Sequence, residues 1–126
     1  MRRVVISGLG LVTPVGCGVE ASWANLLAGK NGARRVEEFD VSDISCQIAN
    51  FIPRGKGDGL FNPDDWMEPK EQRKVDDFIL YGMAAAVQAV RDAGWDNPSE
   101  EEKLRTGVMI GLCFGGRQSI AETALL

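Results

Sequence analysis

The chain has 126 residues, 44% of them hydrophobic and 25% charged, enough apolar material for one globular domain with a modest core and too much for a disordered segment. Its formal charge of −4, with no interleaving of aromatic and basic residues, excludes a general nucleic-acid binder. Cys17, Cys46 and Cys113 lack Cys-x-x-Cys spacing and the chain has no histidine, which excludes a zinc site and suits a reduced, cytoplasmic protein without a metal.

At the N-terminus Arg2 and Arg3 precede an apolar run in the manner of a signal peptide, and Val15-Gly16-Cys17 has the look of a lipoprotein cleavage site. Gly8, Gly10, Pro14 and Gly16 break that run, however, and argue against both a leader and a membrane span. Val4-Val5-Ile6-Ser7 instead predicts a buried strand of a parallel sheet, turning at Gly8-Leu9-Gly10. A dinucleotide-binding turn would need a third glycine where Thr13 stands, and Pro14 blocks immediate entry to a helix. A tight turn after a core strand is the simpler reading.

The stretch Val19–Ala28 predicts a first crossover helix with Val19, Trp23, Leu26 and Leu27 on one face and Gly29 past its end. From Phe39 to Ile52, β-branched and aromatic residues among polar ones predict extended structure with a buried Cys46. A loop rich in Gly, Pro and charge follows from Pro53 to Gly59. Asn62 as cap, Pro63 in the first turn, and Asp64 and Asp65 after it predict a short helix.

Pro69 to Gly94 is the longest periodic segment. Val75, Phe78, Ile79, Gly82, Met83, Ala86, Val87 and Val90 recur at helical spacing and predict one long amphipathic helix, begun by Pro69 and ended by Gly94. On such a helix Lys70, Arg73 and Lys74 would occupy the positive end of the dipole, where cations are disfavoured. The residues allow two explanations: a solvated face paired through Glu71, Asp76 and Asp77, or a docking site for an anionic partner.

Trp95 to Arg105 reads as a polar connection, and Thr106 to Gly111 as a second buried strand. The alternation of strands and helices indicates an α/β sheet. Gly115-Gly116 turns the chain, and Ser119 with Glu122 forms a capping-box pattern ahead of Ala124, Leu125 and Leu126. A helix beginning near Ser119 has too few residues to hold itself, so the chain is expected to be truncated within it.

Taken together, VVISGLGLVTPVG, FDVSDI, PKEQRKVDDFILYGMAAAVQAVRDAG and GVMIG before Gly115-Gly116, in this order and spacing, resemble the N-terminal part of a bacterial β-ketoacyl-acyl carrier protein synthase of the synthase II type. The resemblance implies that residues 1–126 form part of the first half of a thiolase-like α-β-α-β-α fold, left incomplete. It implies a parent enzyme, cytoplasmic and homodimeric, that condenses acyl thioesters with malonyl-acyl carrier protein by a decarboxylative Claisen reaction, using one cysteine and two histidines and no cofactor. None of Cys17, Cys46 or Cys113 matches the nucleophile's motif. By the same resemblance Lys70, Arg73 and Lys74 match a basic cluster that docks the acidic acyl carrier protein, which favours the second explanation of their charge. Phe114 matches an isoleucine lining the acyl-chain pocket near the dimer interface. Leu112 and Cys113 stand where the family has small residues. The alternatives are a non-catalytic fragment that binds acyl carrier protein and a small nucleotide-binding α/β domain.

Overall fold

In Gly10–Asn62 the secondary structure is short and antiparallel, and polar side chains hold it. The computed structural model describes residues 3–124, which divide into two compact units, Gly10–Asn62 and the described parts of Met1–Leu9 and Pro63–Leu126. Arg2, Leu125 and Leu126 lie outside the described residues. In the first unit β1 (Val12–Thr13) and β2 (Gly16–Cys17) form an antiparallel hairpin, followed by α1 (Val19–Leu27). Thr13 and the fully buried Ser22 both donate to the Gly16 carbonyl, at 2.9 and 3.0 Å, and Asn25 Nδ2 donates to Val15 O at 2.6 Å. These bonds satisfy the carbonyls of the turn, Gly16 O twice and Val15 O once. Beyond it, β3 (Ala33–Arg35) pairs antiparallel with β4 (Ile48–Asn50), with Arg34 stacked over the Phe51 ring at 3.8 Å. The core of this unit is Cys17, Val36, Val41 and the fully buried Phe61.

Three expectations change here. Trp23, Leu26 and Leu27 of α1 are exposed and the buried position is Ser22, because this helix docks on the hairpin through hydrogen bonds rather than an apolar stripe. Cys46 is exposed, since it precedes β4 in a segment without strand pairing. Extended structure is confined to Ile48–Asn50 within the predicted stretch.

The second unit is helical. Pro63–Asp65 forms a 3₁₀ turn, as the cap and acidic first turn require, and Gln72 Nε2 ties it to the next helix by donating to Asp64 Oδ1 at 2.9 Å and Met67 O at 2.7 Å. The predicted single helix is two: α2 (Pro69–Gln72) and α3 (Asp77–Asp92). Asp76 takes an extended conformation, φ −76° and ψ 158°, and its carbonyl accepts from Ile79 N–H at 3.0 Å. An aspartate after β-branched Val75 competes with the helix and favours the N-cap geometry. The buried positions of α3 are Leu80 and Ala84, one turn apart, while Ile79, Met83 and Val90 of the predicted face are exposed. At its C-terminus Gly94 (φ 62°) donates to Arg91 O at 3.0 Å and Trp95 to Val90 O at 3.2 Å, a Schellman cap.

Gly8 lies against that end of α3. A methyl group at Gly8 would overlap the Ala89 carbonyl oxygen and stand 2.9 Å from Ala93 Cβ, and the next residue, Leu9, donates its N–H to Asp92 Oδ2 at 2.8 Å. The glycine therefore serves close backbone approach to a helix.

Neither buried-strand candidate is a strand. Val4, Val5 and Ile6 are at least 80% exposed, as are Val108 and Met109. Both runs lack ladder partners among the described residues, whose two sheets are both antiparallel hairpins. A buried apolar strand depends on a paired neighbour on each edge and a covered face, and these residues supply neither to the two runs. The polar connection instead contains α4 (Glu100–Leu104), and α5 (Arg117–Ala124) starts two residues before Ser119, which makes Ser119 an interior position rather than its N-cap. The capping box belongs to α4: the Ser99 hydroxyl oxygen accepts from Glu102 N–H at 3.3 Å while the Glu102 carboxylate accepts from Ser99 N–H at 2.8 Å.

Two measurements test this account. Gly8→Ala should destabilise the protein by about 1–3 kcal/mol through overpacking, whereas Gly82→Ala, mid-helix with open space at its Cβ, should stabilise it by about 0.5–1 kcal/mol; urea midpoints compare them. The Ser99 hydroxyl, and then the Ser99 backbone N–H, hold the Glu102 carboxyl below the ordinary glutamate range. A lowered folded-state value means that the cap's contribution is complete above the ordinary glutamate range and is lost as pH falls through the lowered value. Amide chemical shifts of residues 99–104 should then lose their helical character on that acid limb, and a titration midpoint at or above the ordinary value would contradict the cap.

Candidate functional site

The basic residues sit on a short helix and its exit. Lys70 lies in α2, Arg73 is its C-cap, and Lys74 follows; all three are exposed. This placement reverses the electrostatic difficulty of the predicted long helix, because Arg73 and Lys74 now stand at a helix C-terminus, where cations are favoured. Lys74 Nζ is paired with Glu71 at 2.6 Å, and at that exposure the pair contributes little to stability. Lys70 and Arg73 have no ion-pair partner among the described residues, so their charge is fully presented to solvent. Asp76 and Asp77, expected to share in the pairing, belong to the start of α3 instead.

Phe114 lies on the turn before α5, is 81% exposed, and borders a cleft of about 260 Å³ whose walls include Phe78 and Tyr81 of α3, Asp76, Gly115 and Gly116. Local sequence dictates how closely that turn approaches α3. A Cβ on Gly115 would lie 2.6 Å from Phe78 Cζ, and one on Gly116, at φ 67°, would lie 2.5 Å from Asp76 Oδ2. Only glycines permit both contacts. Leu112 and Cys113, where small residues were expected, are exposed.

The sequence-derived residues thus fall on either side of one short stretch, Val75–Asp77. The basic cluster precedes it in the chain and Phe114 shares a cleft with it. Sequence reasoning missed Asp76, Phe78 and Tyr81 as companions of Phe114. The available signal is the aspartate itself: Asp76 before an apolar-periodic segment is an N-cap pattern, which the longer periodicity from Pro69 to Gly94 hides.

Other chemistry is sparse. Among the described residues no group of three or more His, Cys, Asp or Glu side chains is arranged to hold a metal ion, and no helix is long and apolar enough to cross a membrane. Gly8, the first glycine of the nucleotide-turn alternative, is occupied by its contact with α3.

Comparison with known proteins gives a consistent family. The family model described as beta-ketoacyl synthase, N-terminal domain, matches residues 1–125. A relative from Rhizobium meliloti named 3-oxoacyl-[acyl-carrier-protein] synthase 2 is 59% identical over 97% of this chain, which spans 29% of that relative. A protein of the same name from Vibrio cholerae is 43% identical over 94% of this chain, which spans 27% of it. Among solved structures, one titled "The ishigamide ketosynthase/chain length factor" superposes with a TM-score of 0.62 at 34% identity, over 80% of this chain and 23% of its own. The chain has an α/β fold and belongs to the β-ketoacyl synthase N-terminal domain family.

Proposed function

We propose that this chain is the N-terminal portion of the first, thiolase-like half of a fatty-acid elongating synthase, an acyltransferase that condenses an acyl thioester with malonyl-acyl carrier protein. Identity of 59% across nearly the whole chain to a 3-oxoacyl-[acyl-carrier-protein] synthase 2 carries this reading. In it, Lys70, Arg73 and Lys74 receive the acidic carrier protein, and Phe114 borders the channel for the growing acyl chain. The parent protein acts as a cytoplasmic homodimer with no metal or nucleotide cofactor.

Condensation needs a thiolate to take the acyl group and donors to stabilise the charge that develops as malonyl loses carbon dioxide. Residues 1–126 contain no histidine, Cys17 is buried, and Cys46 and Cys113 are exposed on irregular segments. That composition favours a second, narrower role for these residues taken alone: recognition of the carrier and shaping of the channel without turnover. A condensation assay on the isolated chain separates the two.

Docking through exposed, partly unpaired cations acts mainly on encounter and is screened by salt. In a full-length synthase containing this segment, replacing Lys70, Arg73 and Lys74 by glutamate should lower kcat/KM for carrier-bound donor by at least about tenfold and flatten its salt dependence. A small carrier-free thioester should react as before. Among single reversals Lys74→Glu should have the smallest effect, because Glu71 already offsets that charge; equal losses with both donors would remove the docking role.

A phenyl ring takes volume that the distal end of a long acyl chain would need, and overfilling a close-packed channel costs about 1–3 kcal/mol. Phe114→Ile should therefore raise kcat/KM selectively for long donors, by roughly tenfold, with short donors unchanged. A flat profile across donor lengths would dismiss Phe114 as a channel residue.

A further inference from the structure

The geometry points to Asp76 as a positioning residue that sets acyl-chain-length selectivity by holding the turn that carries Phe114. This inference rests on the channel reading of Phe114 and adds to it a residue outside the channel motif. Asp76 does two things at once. Its backbone, extended at φ −76° and ψ 158°, starts α3 by accepting from Ile79 N–H at 3.0 Å. Its carboxylate reaches in the other direction, where Oδ1 accepts from the Ser119 hydroxyl on α5. Oδ2 stands 2.5 Å from the place a Gly116 Cβ would take.

One residue therefore connects the first turn of α3 to the first turns of α5, across the glycines that follow Phe114. Gly116 O accepts from Ile120 N–H at 2.9 Å, so the same glycine that clears Asp76 also begins the hydrogen-bond ladder of α5. On the other side Gly115 sits against the Phe78 ring, closely enough that no side chain fits. The turn is thus clamped by Phe78 on one glycine and by Asp76 with Ser119 on the other. Phe114 is the adjoining residue, and its own ring is largely exposed, so its position depends on the backbone more than on packing of its side chain. Two adjacent glycines have wide backbone freedom, and removing the Asp76 clamp releases it. A released turn lets the phenyl ring leave the path of a long acyl chain.

The test uses a full-length synthase containing this segment, with donors of increasing acyl length and hydrogen exchange at residues 115–116. Asp76→Ala and the milder Ser119→Ala should each raise the long-to-short ratio of kcat/KM by roughly tenfold, in the same direction as Phe114→Ile. Exchange at Gly115 and Gly116 should quicken in both. In a Phe114→Ile background neither should alter the ratio further, since the clamp acts through that ring. Asp76→Asn, which keeps an acceptor for Ser119, should retain the parent profile. If Phe114→Ile shifts the ratio while Ser119→Ala and Asp76→Ala lower activity equally for all donors or change nothing, the positioning role is overturned and the channel reading stands. If Phe114→Ile itself leaves the ratio flat, the channel reading fails and takes this selectivity role with it.

Discussion

The departure of Asp76 from helical geometry governs the second unit. Had residues 69–94 formed one helix, the basic cluster would lie at its positive end and the aspartates would project from its side. With ψ at 158°, Asp76 instead opens α3 after α2 has ended at Gln72, and its carboxylate is directed to Ser119. Arg73 and Lys74 fall at the exit of α2, the buried positions of α3 are Leu80 and Ala84, and α5 is bonded to the start of α3 through Ser119.

This changes the physical argument about charge. On one continuous helix Lys70, Arg73 and Lys74 would oppose the dipole, and either a solvated, paired face or a docking site would account for them. In the folded chain the conflict is removed for Arg73, the C-cap of a four-residue helix, and for Lys74 after it, while Lys70 stays within that helix. The case for carrier docking therefore rests on exposure, on two cations without ion-pair partners among the described residues, and on family membership. Charge presented to solvent at little structural cost is what an encounter surface requires.

Local signals with a short-range mechanism were legible. Pro63 and Asp64 began a turn, Pro69 began a helix, and Gly94 ended one in the left-handed conformation. Signals that depend on distant partners were not. The apolar run Val4–Ile6 specifies burial without specifying what buries it, and no strand among the described residues does so. Ser22 shows the converse, a polar residue fully buried with its hydroxyl donating to the Gly16 carbonyl. Of the candidate site, Lys70, Arg73, Lys74 and Phe114 are expectations from resemblance, to which the structure adds position and exposure. The N-cap place of Asp76 is a local signal, but its bond to Ser119, 43 positions away, is not.

The contact of Gly8 and Leu9 with the end of α3 has a kinetic side. Leu9 waits for Asp92, 83 residues later in the chain, before its hydrogen bond can form. At a synthesis rate of roughly 5–20 residues per second, that interval is on the order of 4–17 s. Throughout it the neighbouring Val4–Ile6 run has no α3 beside which the following turn can anchor. Closing so long a loop also delays the contact after the helix exists, since non-local pairings form late.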